Sequence, residues 1–386
     1  MRLFAILAVS VLAGCASVSD SSMNPLNWFG STSPSAKMAE LTEIKASVTL
    51  RTVWRASVGN AGKAIFSPAI AKGSVFAAAE DGNVTRFDAV TGREIWRVSA
   101  GERLSGGVGS DGDLAVVATG KGDVIAFNGE GVLLWKSRVT SEVLAAPVVS
   151  GDLVIVRSAD SRIYGLNAKD GKRRWVYQRA TPALSVRSPA GVAAMRGNAY
   201  AGFAGGKMVA IALSNGGVRW ESTVALPKGA TEIERVTDVV GLPLVSEREA
   251  CAVAYQGRVA CIDANNGTVL WSRDMSSTSG LGWDARTIYV SDDKGGVHAL
   301  DRASGNSLWK QDKLFLRNLS APIGLGSAVA VADVQGYVHL LARDSGAFVG
   351  RMATDGSPIS TNPLILDGGF LVQTRNGGVF SIAATN

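Results

Sequence analysis

Two histidines stand at equivalent positions of consecutive repeats in the C-terminal part of the chain. His298 lies three residues after Gly295, and His339 lies three residues after Gly336. Imidazole is a common ligand of zinc and other transition metals, so a pair on adjacent structural units is one way to build a metal site. We find no cysteine or carboxylate that recurs beside them with the spacing of a metal-ligand set. The sequence therefore favours a structural role for both histidines and predicts no metal site.

The motifs that accompany common catalytic chemistries are missing from the sequence. It contains no Gly-x-Ser-x-Gly elbow, Walker lysine loop, His-Glu-x-x-His pair or EF-hand loop, and two histidines in all exclude most catalytic triads. The letters of a dinucleotide fingerprint occur at 107–112. The apolar segment 114–118 that follows them predicts a strand, whereas the fingerprint requires a helix. We therefore predict that the protein is not an enzyme and binds no cofactor.

Cys251 and Cys261 flank a predicted hairpin turn at Gln256-Gly257. In an oxidising compartment, two such cysteines form a disulfide if their side chains meet. A three-residue loop sets them directly opposite each other, whereas a two-residue loop puts them on opposite faces of the sheet, because side chains alternate along each strand. The sequence does not settle the register, so the bonded and the free states both stay open at this point.

The N-terminus predicts a covalent lipid modification. Arg2 precedes the apolar run Leu3 to Ala13, which is too short for a membrane-spanning helix of about 20 residues. The run ends in Leu12-Ala13-Gly14-Cys15, which resembles the lipobox of bacterial lipoproteins. We therefore expect residues 1–14 to be a cleaved signal peptide and Cys15 to carry the lipid. By analogy with enterobacterial sorting, Ala16 in place of an aspartate favours the outer membrane.

Residues 15–45 are rich in serine and show little periodicity, which is typical of a flexible tether. A short helix is predicted within it, around Lys37 to Lys45. The remainder, residues 46–386, is predicted to fold, because 46 % of the chain is hydrophobic and only 19 % is charged. The net charge of +6 is compatible with an anionic partner, but an exported protein does not meet nucleic acid, so we predict no nucleic-acid binding.

A pattern of about 40 residues repeats from the end of the tether to the end of the chain. Each copy has a turn that usually contains glycine, an alternating apolar strand, a second turn ending in glycine, and a closing residue four positions later. The second-turn glycines are Gly92, Gly131, Gly171, Gly216, Gly267, Gly305 and Gly346, and the closing residues are Trp96, Trp135, Trp175, Trp220, Trp271, Trp309 and Gly350. A tryptophan at one fixed strand position predicts packing against the neighbouring unit rather than a binding box. The turn glycines are predicted to adopt positive φ.

Most copies begin with a small residue, a proline and a further strand, so each unit has the four short strands of a propeller blade. The last unit lacks its final strand, and Val48 to Arg55, with Trp54 at the closing position, supplies it from the N-terminus. Seven closing residues and Trp54 make eight blades. The sequence therefore predicts an all-β fold. It is an eight-bladed β-propeller of four-stranded antiparallel blades, closed by pairing of the N-terminal strand with the C-terminal blade.

This repeat resembles two families, the eight-bladed pyrroloquinoline quinone dehydrogenases and the BamB lipoproteins of the outer-membrane β-barrel assembly (BAM) complex. The BamB family is the more similar, because the lipobox, the tether, Val53-Trp54-Arg55 and the eight blades match over nearly the whole chain. Quinone dehydrogenases are longer, and their cofactor site uses adjacent cysteines and calcium-binding acids that have no counterpart in this sequence. The resemblance therefore implies a non-catalytic protein without a cofactor.

The BamB resemblance also implies where a partner binds. A family loop similar to Leu-Ser-Leu-Arg carries residues that bind the barrel protein BamA, and Leu184-Ser185-Val186-Arg187 stands at the corresponding place. A family segment with two aspartates corresponds to Asp238-Val239-Val240, in which Asp238 is retained and Val240 replaces the second aspartate. We therefore expect Leu184, Val186, Arg187 and Asp238 to bind BamA. The alternative that Arg187 and Asp238 pair with each other, or simply face solvent, stays open.

The function implied is that of a lipid-anchored scaffold at the periplasmic face of the outer membrane. Its expected partners are the periplasmic domains of BamA, other BAM components, unfolded outer-membrane protein precursors, and the membrane itself through the lipid. The alternative is a periplasmic quinoprotein-like enzyme or a small-ligand-binding propeller that uses the central channel.

Overall fold

The structure is a computed structural model that describes residues 37–385, in which every regular element is a β-strand. The strands form eight separate antiparallel sheets, each ordered from an inner first strand to an outer last strand. The first strands of successive sheets contact one another, so the sheets stand side by side around a common centre. This is the predicted eight-bladed β-propeller. No helix in the described part of the chain is long and apolar enough to cross a membrane.

The first strand along the chain, β1 (Thr49–Ser57), belongs to the last blade, and blades 1 to 4 follow it in order. Blade 1 contains β2 (Ala69–Ala71), β3 (Ser74–Ala78), β4 (Asn83–Asp88) and β5 (Glu94–Ser99). Blade 2 contains β6 (Leu104–Ser110), β7 (Leu114–Thr119), β8 (Asp123–Asn128) and β9 (Leu133–Arg138). Blade 3 contains β10 (Val148–Ser150), β11 (Leu153–Ser158), β12 (Arg162–Asn167) and β13 (Arg173–Gln178). Blade 4 contains β14 (Val192–Met195), β15 (Asn198–Phe203), β16 (Lys207–Ala212) and β17 (Val218–Thr223).

Blade 5 differs from the others, because its inner strand is broken into two short pieces that both pair with the second strand. It contains β18 (Asp238–Val239), β19 (Leu244–Val245), β20 (Glu249–Tyr255), β21 (Arg258–Asp263) and β22 (Val269–Asp274). Blade 6 contains β23 (Leu281–Trp283), β24 (Thr287–Ser291), β25 (Val297–Asp301) and β26 (Ser307–Gln311). Blade 7 contains β27 (Ile323–Leu325), β28 (Ala328–Ala332), β29 (Tyr337–Ala342) and β30 (Phe348–Ala353). Blade 8 joins β31 (Leu364–Leu366), β32 (Gly369–Gln373) and β33 (Gly378–Thr385) to β1.

The two faces of the propeller carry different connections. Because successive strands run antiparallel, the connections between blades lie on the same side as the turns between second and third strands. We call this side the loop face, and the opposite side the hairpin face. The loop face holds the longest connection of the described chain, residues 224–237 between β17 and β18.

The closing tryptophans join the blades, as the sequence predicts. Each indole N–H donates to a backbone carbonyl of the next blade at 2.6–3.0 Å. A Cβ on the second-turn glycine of that next blade would lie 2.4–3.1 Å from the indole ring. These glycines also have φ between +69° and +83°, so backbone and packing both require glycine. The pairs are Trp54–Gly92, Trp96–Gly131, Trp135–Gly171, Trp175–Gly216, Trp220–Gly267, Trp271–Gly305 and Trp309–Gly346.

Gly350, the closing residue that is not tryptophan, faces the start of the described chain. A Cβ at this position would lie 2.8 Å from the carbonyl oxygen of Val48, because the segment leading into β1 passes over it. Blade 8 takes its outer strand from the N-terminus, so it has no turn between third and fourth strands. A tryptophan at 350 would therefore find no turn glycine to pack on.

Ring closure follows the predicted pairing of the two ends of the chain. β1 pairs antiparallel with β33, from Thr49 opposite Thr385 to Ser57 opposite Gly378. The buried Trp54 is held in this strand and contacts blade 1. The N-terminal strand therefore completes the C-terminal blade.

The predicted helix around Lys37 to Lys45 is wrong. Residues 38–48, which we call the strap, have no helical turn and lie against the propeller instead. The N–H of Ala39 donates to the carbonyl of Phe315 at 2.9 Å, and the carbonyl of Ala39 accepts from Arg317 Nη1 at 2.9 Å. The propeller thus satisfies backbone groups that a helix would have paired within itself.

Cys251 and Cys261 form a disulfide, which resolves the alternative that the sequence left open. They stand directly opposite each other in the ladder between β20 and β21, with 4.1 Å between their Cα atoms. Val253 is opposite Val259, which is the register of a three-residue loop. Both cysteines are buried.

Candidate functional site

The structure brings the four predicted partner-binding residues to one region of the loop face, where blades 3, 4 and 5 meet. Leu184, Val186 and Arg187 belong to the connection between β13 and β14, and Asp238 begins β18. Val186, Arg187 and Asp238 line one cavity of about 230 Å³. Leu184 precedes them in the same connection and is 46 % exposed. Cys15, the predicted lipid attachment site, lies outside the described residues.

Asp238 is buried beneath the 184–187 loop, with only 2 % of its surface exposed. Its Oδ2 accepts the N–H of Val186 at 2.6 Å, and its Oδ1 accepts the N–H of Gly205 at 3.1 Å. Its backbone also forms a β-bridge with Ala204, which directly follows β15, the second strand of blade 4. Asp238 therefore ties blade 5 to blade 4 and fixes the 184–187 loop. It does not pair with Arg187.

Arg187 lies at the rim of the cavity and pairs with Glu142, a residue that sequence reasoning missed. Nε donates to Oε1 at 2.8 Å and Nη2 donates to Oε2 at 2.7 Å, so the pair is bidentate. The hydrogen bonds to Glu142 raise the pKa of Arg187. The Arg187 side chain is 68 % exposed, so this pair contributes little to stability and chiefly orients the guanidinium.

A second guanidinium, that of Arg157, lines the same cavity from β11. Its Cζ lies 4.8 Å from the centre of the Phe203 ring. Arg157 is half-buried. Its guanidinium makes no hydrogen bond to any residue in 37–385, and its Nη1 is buried. Burial lowers the pKa of Arg157 to about 10, and attraction to Asp238 offsets only part of that effect. The local signal in the sequence that could have indicated Arg157 is its charge, directly after the apolar residues that begin the strand Leu153–Ser158.

Exposed apolar side chains accompany the charged residues on the loop face. Leu226 and Ile233, both in the 224–237 connection, are 63 % and 71 % exposed. Glu234 shapes this connection by accepting the N–H groups of Ala230 and Thr231 at 2.8 and 3.0 Å, which lowers the pKa of Glu234. Together with Leu184 they give this face the apolar side chains that protein interfaces bury.

His298 and His339 have the structural role predicted, through partners that the sequence pattern missed. An aspartate stands six residues before each of them, Asp292 and Asp333. The His Nε2 to Asp Oδ2 distances are 2.8 and 3.0 Å. A carboxylate therefore does recur beside the histidines, and it spans the turn as a hydrogen-bond partner. Within residues 37–385, the group with the geometry of a metal-ligand set is Glu249, Cys251 and Cys261. The two cysteine sulfurs of this group are bonded to each other in the disulfide.

The second of these pairs anchors the strap. Arg317, only 1 % exposed, donates from Nε to Asp333 at 2.6 Å and from Nη1 to the Ala39 carbonyl. His339 Nδ1 accepts from Arg351 Nε at 3.1 Å, and Arg351 donates to a further strap carbonyl at 2.8 Å. The imidazole is therefore the neutral form with its proton on Nε2. This buried network seals the strap onto blade 7.

The centre of the loop face is a channel mouth of about 440 Å³, lined by both apolar and polar residues. Two cations, Arg187 and Arg375, line it. Its uncharged polar lining residues are Ser67, Ser188, Thr278, Ser279, Asn318, Ser320, Ser360, Thr361 and Asn362. None of the described residues that line it is acidic. Calcium takes several oxygen ligands, usually including carboxylates, so this mouth does not fit the calcium and quinone group of the quinone dehydrogenases.

Comparison with known proteins agrees with the fold. The family model of outer membrane protein assembly factor BamB matches residues 80–311. A protein of that name from Bordetella pertussis is 44 % identical over 375 residues, which cover 97 % of this chain and 96 % of the relative. The crystal structure of BamB from Moraxella catarrhalis has a TM-score of 0.80 and 29 % identity, covering 87 % of this chain and 100 % of that one.

A quinohemoprotein alcohol dehydrogenase from Pseudomonas putida also superposes, with a TM-score of 0.70 over 86 % of this chain and 76 % of that one. At 12 % identity this likeness concerns the propeller fold alone. The sequence matches to BamB proteins extend over nearly the whole chain. The chain therefore belongs to the BamB family of outer membrane protein assembly factors.

Proposed function

We propose that this protein is a non-catalytic scaffold of the BAM complex. It binds the periplasmic domains of BamA and assists the assembly and insertion of β-barrel proteins into the outer membrane. One observation carries the proposal. The loop that resembles the family's BamA-binding motif stands exposed on the loop face, held from below by Asp238, which is 52 positions away in sequence.

The make-up of this surface suits a protein partner. Leu184 and the exposed side chains of the 224–237 connection supply apolar area on the loop face, and Arg187 supplies a planar fork of donors at the rim of the cavity. The Arg187–Glu142 pair is exposed, so exchanging Glu142 for a partner acceptor costs little. Val186 and Asp238 set the shape of the loop rather than contact the partner.

The proposal includes the location of the protein. Cleavage after residue 14 and lipidation of Cys15 would anchor it at the periplasmic face of the outer membrane, beside the other BAM components. Unfolded outer-membrane protein precursors are further partners under this proposal. The quinoprotein-like alternative is not favoured, because the channel mouth offers no carboxylate for the cation that such a cofactor needs.

Binding of the unlipidated chain to purified periplasmic domains of BamA from the same organism tests the proposal. We expect Arg187→Glu to weaken binding at least tenfold, about 1.4 kcal/mol, because it puts a second carboxylate beside Glu142. Arg174→Glu is the matched control. Arg174 lies in β13, the strand that precedes this connection, but on the hairpin face, where it pairs with Asp152.

Calorimetry at two salt concentrations gives the affinities, and thermal unfolding verifies that both variants are folded. Wild-type chain that does not bind would contradict the proposal. Equal losses in the two variants would assign the effect to net charge rather than to this site.

A further inference from the structure

We propose that the cavity beneath the 184–187 loop is a carboxylate-binding pocket with Arg157 at its base, and that it takes an acidic side chain of the protein partner. The identity of that partner as BamA rests on the proposed function. The chemistry of the pocket does not, and it can be measured separately.

The first ground is that Arg157 is a cation without a hydrogen-bonding partner in the described chain. The carboxylate of Asp238 attracts it, but the two oxygens of that carboxylate accept the N–H groups of Val186 and Gly205. Asp238 therefore contributes attraction without a hydrogen bond to the guanidinium. Arg157 is half-buried, and its Nη1 is wholly buried without an acceptor. A buried N–H group that is left unpaired is costly.

The second ground is electrostatic. Burial of Arg157 destabilises its charged form more than Asp238 stabilises it, which is why its pKa falls to about 10. A charge that is only partly compensated by its surroundings gains from an added opposite charge. An anionic group that enters the cavity supplies it.

The third ground is the shape and lining of the cavity. Its volume of about 230 Å³ accommodates a side chain, and the serines Ser158, Ser161, Ser185 and Ser188 add hydroxyl groups to its wall. Arg187 is already bidentate with Glu142 at the rim. An incoming carboxylate therefore meets a free guanidinium at the base without having to break the rim pair. A planar guanidinium matches the two oxygens of a carboxylate, which favours this class over a single-acceptor group.

The pocket is tested without any partner by side-chain NMR of the mature chain, residues 15–386, without its lipid. The probe is acetate, with acetamide as its neutral isostere, at constant ionic strength. We expect the Arg157 Nε–H resonance, identified by its loss in Arg157→Met, to shift saturably with acetate and not with acetamide. Equal shifts with both probes, or a linear shift with acetate, would overturn the proposal.

Its role in recognition is tested by the affinity of Arg157→Met for the periplasmic domains of BamA. We expect a loss of tenfold or more, a smaller loss for Arg157→Lys, and no change for Arg174→Gln on the hairpin face. We also expect the unfolding temperature of Arg157→Met to stay level or rise, because burial of the Arg157 charge costs more than its attraction to Asp238 returns. A purely structural role for Arg157 predicts the opposite, a lower unfolding temperature with affinity unchanged.

The two arms separate the two failures. A wild-type chain that binds acetate at Arg157 but does not bind BamA would contradict the proposed function and leave the pocket in place. A wild-type chain that binds BamA, with Arg157→Met binding equally well, would overturn the pocket's role and leave the scaffold function in place.

Discussion

The replacement Asp238→Asn tests whether Asp238 positions the binding loop or contacts the partner directly. Asn has nearly the same size, but one carboxylate oxygen becomes an NH₂ group, which cannot accept a hydrogen bond. One of the two buried donors, the N–H of Val186 or that of Gly205, then loses its acceptor. The change also removes the negative charge that attracts Arg157.

The magnitude follows from these losses. A hydrogen bond to a charged group contributes about 1.5–3 kcal/mol, and an orphaned buried donor costs a similar amount. We therefore expect Asp238→Asn to lower the free energy of unfolding by about 2–3 kcal/mol. We also expect affinity for BamA to fall about tenfold, since a loop that is no longer held must be ordered on binding.

The assay combines denaturant unfolding with hydrogen–deuterium exchange of the peptides that contain Val186 and Gly205. Both peptides are expected to exchange faster in the variant. Asp293→Asn is the control, because Asp293 accepts the N–H of Thr278 at 2.8 Å in a similar connection but is exposed. It is expected to change stability by less than about 1 kcal/mol and to leave BamA binding intact.

Two results would refute this reasoning. If Asp238→Asn loses binding while stability and exchange stay at wild-type values, Asp238 contacts the partner directly. If exchange at Val186 rises and binding does not change, the 184–187 loop is not the binding site.

Further predictions concern the frame that holds this site. Gly92→Ala is expected to cost about 2–4 kcal/mol, because its φ is +70° and the new Cβ would lie 2.5 Å from the Trp54 ring. Gly73→Ala is the control, because φ is +68° and a Cβ there would have nothing within 4 Å, so it measures the backbone contribution of about 1 kcal/mol alone. Equal losses of the two variants in denaturant unfolding would show that the Trp54 ring moves to accommodate the new Cβ. Burial lowers the pKa of His339 below 6.5. As the pH falls, the unfolded chain therefore binds a proton at this histidine before the folded chain does. The free energy of unfolding declines as the pH falls through 6.5 towards the pKa of the folded state. His339→Gln is expected to flatten this decline in unfolding midpoints, whereas a slope equal to that of the wild-type chain would exclude His339 as its source.

The sequence by itself determined the architecture. Eight blades, the outer strand contributed by Val48 to Arg55, and the packing role of the tryptophans could all be inferred, because each blade repeats the same short-range pattern. The spacing from Trp96 to Trp135, for example, indicates one blade without any knowledge of the tertiary structure. The position of the 184–187 loop followed from family resemblance, and its exposure was expected of a connection between blades.

Only the tertiary structure decided how the candidate site is built, because the contacts that hold it together join residues far apart in the chain. Glu142 and Arg187 are 45 positions apart, and no local pattern indicates that they pair. Asp238 resembles a contact residue in the sequence, yet burial makes it the support of Val186. A short helix was expected around Lys37 to Lys45, but the distant Arg317 binds the backbone of this segment instead. Spacing along the chain encodes repeated local geometry, whereas charge partners and burial depend on which blades the closed ring brings together.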